Sequence, residues 1–399
     1  MQSSPSPQKK PSSKKWVVLP TVILVLIVLS ACLLTANYNT DTPPSREFYV
    51  GVEIAYGSYS DLTAMVDEVK GYTNLVVLGL PEVSINQTLL DMSCNYIYDA
   101  GLHFVVLFTN LTQYKDWQNS TPAQWVADAK QRYGDRFLAV YRWDEAGGDQ
   151  LDRSKYQEVK SADSYAEAAE GYVEVLAPEL EYYQEAGQEV LTADYGLYWF
   201  DYRAGYDVVL AEFGWNNSRE QQIALCRGAA RTFDRDWGAI VTWTYSNFSG
   251  SPFIGSAPEL YSDLLMAYNC GAKYAVVFNY PQLASAEFGI LTQEHLDALK
   301  SFWSYISNHP PSDPDSGKVH TAYVLPSDYG FGFRRPDDTV WGLWNGDDQT
   351  RQIYGDVEAL ITQHGTGFDI VCNYPNLVAD LKGRYDALIF WNGTKIAQD

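Results

Sequence analysis

The chain has 399 residues, 46% of them hydrophobic and 20% charged, with a formal net charge of −22. That composition is of a globular protein with a full core and room for one large and one small domain. So acidic a chain repels nucleic acid and anionic lipid, which argues against nucleic-acid binding and leaves a neutral partner or plain solubility as the reading of its charge.

The N-terminus departs from the rest. Residues 1–40 carry four lysines and no acid, and Lys9, Lys10, Lys14 and Lys15 precede Trp16–Ala36, 21 residues without a charge. This stretch is long enough to span a bilayer, and the lysines keep its N-terminal side in the cytoplasm. An uncleaved single-pass anchor is the favoured reading. A cleaved signal competes with it, as does a lipobox-like Leu29-Ser30-Ala31-Cys32 that would lipidate Cys32. All three put the remainder outside the cell. Six N-x-[S/T] sequons, at Asn86, Asn110, Asn119, Asn216, Asn247 and Asn392, agree with that side.

Residues 37–46 form a polar, proline-containing spacer. From residue 47 to residue 308, apolar runs alternate with amphipathic stretches about eight times. The runs are YVGVEIAYG, NLVVLGLPE, HFVVLFTN, FLAVYRWDE, EVLTADYG, YDVVLAEFGW, GAIVTWTYS and YAVVFNYPQ. Continuous apolar runs are the mark of buried parallel strands, and eight strand–helix units in this length predict a (β/α)8 TIM barrel. Helices are expected at Asp61–Tyr72, Thr88–Ala100, Pro122–Tyr133, Ser164–Glu185, Arg219–Phe233, Ala257–Asn269 and Gln293–Ser307, several behind Ser or Thr cap signals. The segment LYWFDYRAG after the fifth strand reads as a short helix or an aromatic loop. Residues 309–317 are a Pro- and Asp-rich linker. Residues 318–399 then predict a small flavodoxin-like α/β domain, with strands VHTAYVLP, FDIVC and DALIFWNG and helices at Ile353–Gln363 and Asn376–Leu381.

In a TIM barrel the C-terminal strand ends meet on the face that carries the active site. That rule converges Glu53, Asp144, Glu145, Asp194 and Glu212 with Tyr56, Trp143, Trp215, Trp243, Tyr245 and Tyr280. Carboxyl groups among flat aromatic faces suit a carbohydrate, whose C–H face stacks on rings and whose hydroxyls need polar partners. Hydrolysis of a glycosidic bond needs two carboxyl groups flanking that bond. Glu145, ending strand four, is expected as the acid/base, and Glu212, ending strand six, as the second carboxylate. Glu53, Asp144, Asp194 and the aromatics are assigned to binding. If strand four stays regular, Asp144 points opposite to Glu145. The competing structural reading makes each acid a partner of Arg142 or Arg203.

Other chemistries find less support. The five histidines (His103, His295, His309, His320 and His364) are scattered, so no metal or other cofactor is expected. No G-x-S-x-G or phosphate loop follows a strand. Cys94, Cys226, Cys270 and Cys372 lack metal-ligand spacing; a Cys226–Cys270 disulfide is allowed, but buried thiols are favoured.

The strand-end acids and tryptophans give residues 47–308 a resemblance to the TIM-barrel glycoside hydrolase superfamily. VVLAEFGWNNSREQQIALCRGAARTFDRDWGAIVTWTY looks like uncharacterised glycosidase-like proteins. GDVEALITQHGTGFDIVCNYPNLVADLKGRYDALIFWNG is similar to the amidotransferase-like domain behind the barrel of some β-galactosidase-type enzymes. The resemblance implies an extracellular, membrane-tethered glycoside hydrolase with a carbohydrate substrate. One departure counts against it: the large retaining clan carries its nucleophile on strand seven, and IVTWTYS has no acid. A non-catalytic glycan-binding or cell-envelope module on the same barrel is the alternative.

Overall fold

The computed structural model describes residues 47–117, 120–214, 217–242, 244–245, 252–283, 288–310 and 319–398. The predicted anchor at Trp16–Ala36, Cys32, the spacer 37–46 and most of the linker 309–317 lie outside the described residues, as do Trp215, Trp243 and three sequons. Among the described residues no helix is long and apolar enough to cross a membrane.

Eight parallel strands close into a barrel: β1 (Tyr49–Ala55), β2 (Leu75–Gly79), β3 (His103–Leu107), β4 (Phe137–Tyr141), β5 (Glu189–Asp194), β6 (Val208–Phe213), β7 (Asp236–Val241) and β8 (Tyr274–Asn279). Closure comes from β1 pairing with β8, in the register Glu53↔Phe278. All eight correspond to the apolar runs. Alternate residues point inward, where Tyr49, Leu75, Val77, Leu210 and Val276 form a packed interior, with Tyr49 and Tyr274 stacked 5.2 Å apart. The opposite residues of each strand join a larger core under the helices.

Around the barrel run α1 (Tyr59–Val69), α2 (Gln87–Asp99), α3 (Pro122–Tyr133), α4 (Ala146–Leu151), α5 (Tyr165–Gln184), α6 (Tyr198–Ala204), α7 (Arg219–Phe233), α8 (Ala257–Asn269) and α9 (Gln293–Asn308). Side chains of Thr121, Ser164, Ser218 and Ser256 accept a backbone N–H of the first turn, which explains why the cap signals located α3, α5, α7 and α8 closely. The start of α1 differs from expectation. Ser58, not Ser60, is the cap, because Asp61 returns a bond to the Ser58 backbone and completes a capping box. LYWFDYRAG resolves into α6. Among the described residues the four cysteines are free thiols, Cys270 half-buried and Cys94, Cys226 and Cys372 buried.

The C-terminal residues form a four-stranded sheet: β9 (Thr321–Leu325), β10 (Phe368–Cys372), β11 (Ala387–Phe390) and β12 (Lys395–Ala397), in the order β10-β9-β11-β12. The first three are parallel and β12 turns back antiparallel. Helix α10 (Asp348–His364) is longer than predicted because Asp347 caps it a turn and a half earlier. Arg46–Asp399 is one compact unit, and a buried ionic seam joins α7 to β10. Arg227 on α7 donates to Asp369 on β10 at 2.7 Å and to the carbonyls of Thr366 and Phe368, while Arg231 and the Tyr385 hydroxyl complete the Asp369 carboxylate. Gly228 lets the two backbones meet: a Cβ there would lie 2.3 Å from the Ile370 carbonyl oxygen. Trp341, fully buried, packs its ring on Tyr172 and Phe200.

Candidate active site

Glu53 and Glu212 share the inward parity of the barrel interior, and both are buried at the C-terminal strand ends. Glu53 reaches its position over Gly79, the last residue of β2, where a Cβ would lie 2.3 Å from Glu53 Oε1. Tyr141 ends β4 inside the barrel and its hydroxyl donates to Asp144.

Strand four does not stay regular. The N–H of Arg142 donates to Leu191 O at 2.9 Å and the N–H of Glu145 to Ala193 O at 3.0 Å. Three steps on one strand therefore match two on the other, an inserted residue of the bulge type. Trp143 and Glu145 take left-handed backbone angles, φ 56° and 55°, which for side chains of this size cost energy and mark functional rims. The expected opposition of Asp144 and Glu145 fails for this reason. Both acids act on Glu53 and on Glu212.

Glu145 and Glu212 face each other within hydrogen-bonding reach. Two carboxylates at that range repel, so the pair holds a shared proton. Burial first, then Asp144, pushes the Glu145 carboxyl up to about 8. Burial, then Glu145, Asp144 and Asp194, raises Glu212 well above the usual carboxylate range. Glu53 is raised by burial, then by Asp144 and Glu145. Asp144 is exposed at the mouth, yet the protein crowded around it raises its carboxyl, with the bond from Tyr141 pulling it back down.

The competing structural reading of these acids does not hold. Arg142 pairs with Glu179 on α5 and lies over the Trp143 ring at 4.4 Å. Arg203 pairs with Glu170 and Asp328.

Asp194 is a correction. Its parity is outward and it is fully buried under α4. Its two oxygens accept the backbone N–H groups of Gly147, Gly148, Tyr195 and Gly196. Such a carboxylate has little left to offer a sugar. It pins the first turn of α4, directly behind Glu145, and so sets where Glu145 points. Burial and Asp201 push its carboxyl up while the backbone donors pull it back.

Tyr56 is half exposed on the rim, its ring 5.0 Å from Tyr280. Trp143 is half-buried, and its indole N–H finds no acceptor among the described residues. Tyr245 belongs to a two-residue strand paired with Pro252–Phe253; its side chain, like Trp215 and Trp243, lies outside the described residues. Tyr141 was missed as a site residue, although its inward parity at the end of β4 was readable. Among the described residues no three His, Cys, Asp or Glu side chains are arranged to hold a metal ion.

No family model and no curated protein matches this chain. Among solved structures it is similar to the alpha-L-fucosidase isoenzyme 2 of Paenibacillus thiaminolyticus, with 11% identity over 86% of this chain and 60% of that one, at a TM-score of 0.49. It is also similar to the catalytic module of a family 98 glycoside hydrolase from Streptococcus pneumoniae, with 11% identity over 84% and 68% and a TM-score of 0.44. A spore coat polysaccharide biosynthesis protein of Bacillus subtilis gives 11% identity over 66% and 68%, with a TM-score of 0.39. Likenesses this weak carry no inference about chemistry, and the closed parallel barrel rests on its own strand pairing.

Proposed function

We propose that this chain is a glycoside hydrolase whose acid pair is Glu145 and Glu212. The observation that carries the reading is the proton-sharing contact between them at the C-terminal rim, with no basic partner among the described residues. Glu212, the more buried of the two, holds the proton and is the general acid, which reverses the roles expected from sequence. It protonates the leaving oxygen as the C1–O bond breaks, and the Glu145 carboxylate attacks C1 to form a glycosyl-enzyme. Water then attacks C1, giving its proton to Glu212 and releasing Glu145. The closeness of the pair favours this retaining route over an inverting one, which needs about 6.5–9.5 Å between carboxyls to admit water. Tyr141, Tyr56 and Tyr280 supply sugar contacts. The charge-free run Trp16–Ala36 behind four lysines supports a membrane tether with the barrel outside the cell.

A glycan-binding module without catalysis is the second reading, favoured by β7, which leads into Thr242 rather than an acid. The test is sugar release from a broad glycan panel by the full-length chain, beside Glu145→Gln and Glu212→Gln. Release that disappears in both folded variants supports the hydrolase. Binding without release, untouched by either substitution, leaves the module.

A further inference from the structure

The pocket holds more acid than bond cleavage needs. With Glu145 and Glu212 assigned to the reacting bond, Glu53 and Asp144 remain: Glu53 points inward at the end of β1, and Asp144 accepts from the inward Tyr141 hydroxyl and acts on Glu53. Neither enters an ion pair among the described residues, and the charged neighbours of Glu53 and of Glu212 are all acids. The nearby arginines are committed elsewhere: Arg142 to Glu179, and Arg153 to the Gly342 carbonyl and Asn345. The segments after β6, β7 and β8 outside the described residues (215–216, 243, 246–251 and 284–287) contain no lysine, arginine or histidine. No cation among the described residues is therefore at hand to balance the cluster.

A second observation points to a ligand. Glu53, 5% exposed, makes no hydrogen bond among the described residues and is held in place by the bare Cα of Gly79. Buried acceptors left unsatisfied are costly, and a bound donor relieves that cost. A neutral hydroxyl offers one proton and no charge. An ammonium group offers three donors and a full positive charge, and its attraction to a carboxylate strengthens as the site loses water.

We propose, building on the hydrolase reading, that the substrate is an amino sugar with a free, unacetylated amine, its ammonium held between Glu53 and Asp144. Tyr141, whose hydroxyl donates to Asp144, keeps that carboxylate turned toward the pocket. The same cluster rejects uronic, sialic and sulfated sugars by like-charge repulsion, which gives the site selectivity by exclusion as well as by contact.

The test is a set of chromogenic glycosides offered to the full-length chain: glucosamine and galactosamine, their N-acetyl forms, the parent hexoses and a glucuronide. The expected kcat/KM for the free amines is at least tenfold above both the N-acetyl and the parent sugars, with no glucuronide turnover. That ratio collapses below about threefold in Glu53→Gln and Asp144→Asn, and added salt raises KM for the amines alone. Equal turnover of parent hexose and amino sugar, or cleavage of the glucuronide, overturns the inference while leaving the hydrolase. Cleavage of none of them sinks the hydrolase reading instead. Calorimetry with free glucosamine and glucose then decides the pocket's preference, and equal binding of the two overturns it.

Discussion

Replacing Glu145 by glutamine removes a proton-sharing acid without changing its shape, and the structure predicts that the variant loses activity while gaining stability at alkaline pH. Glu145 is raised from 4.5 to about 8 in the folded protein. A raised carboxyl binds its proton more tightly folded than unfolded, so its contribution to stability is best below the unfolded value and declines as pH climbs toward 8. A tenfold gain in proton affinity is worth about 1.4 kcal/mol, so this rise stands for on the order of 4–5 kcal/mol if Glu145 bore it alone. Glu212 shares the proton and the mouth is partly open to water, which brings the expected gain of Glu145→Gln at pH 8 to about 2–3 kcal/mol. The glutamine amide can still donate to Glu212, so no new unsatisfied group offsets the gain. Thermal melts at pH 5 and pH 8 measure it: a rise of several degrees at pH 8, little change at pH 5, and a flatter stability profile between. A melting temperature at pH 8 equal to or below that of the wild type, with the same pH slope, would refute the proton-sharing geometry.

Three further outcomes follow from the geometry. Asp369→Ala leaves Arg227 buried without its carboxylate and should cost about 3–5 kcal/mol in denaturant unfolding, with the β9–β12 sheet exchanging its amide hydrogens first. Gly79→Ala drives a Cβ into Glu53 Oε1 at 2.3 Å and should cut turnover at least tenfold, with a smaller loss of stability than Asp369→Ala, read by paired kinetics and melts. Asp194→Asn keeps the size but puts an amide donor in place of one of the two oxygens that four backbone N–H groups share. It should cost about 1–3 kcal/mol and lower kcat more than it raises KM, because it moves Glu145 rather than a sugar contact.

The barrel was already legible in the order of residues. Eight apolar runs call for a parallel sheet buried on both faces, and eight strand–helix units in this length match a closed barrel with the capped amphipathic stretches outside it; local propensity and burial agree at nearly every element. The same pattern put Glu53, Asp144, Glu145 and Glu212 on one rim, because strand ends in this fold share a face. What depends on fractions of a turn emerged only with packing in three dimensions. The inserted residue after β4 turns both Asp144 and Glu145 toward the mouth, and neither left-handed residue there is a glycine that could have signalled it. Asp194 looked like its neighbours in type and position, yet parity sent it outward to a helix terminus. The Arg227–Asp369 seam joins residues 142 positions apart, a distance no local pattern encodes. The approach of Glu145 and Glu212 depends on packing that brings a half-buried and a buried carboxyl within reach with no cation among the described residues beside them, and pairwise distance and desolvation are properties that a linear sequence does not carry.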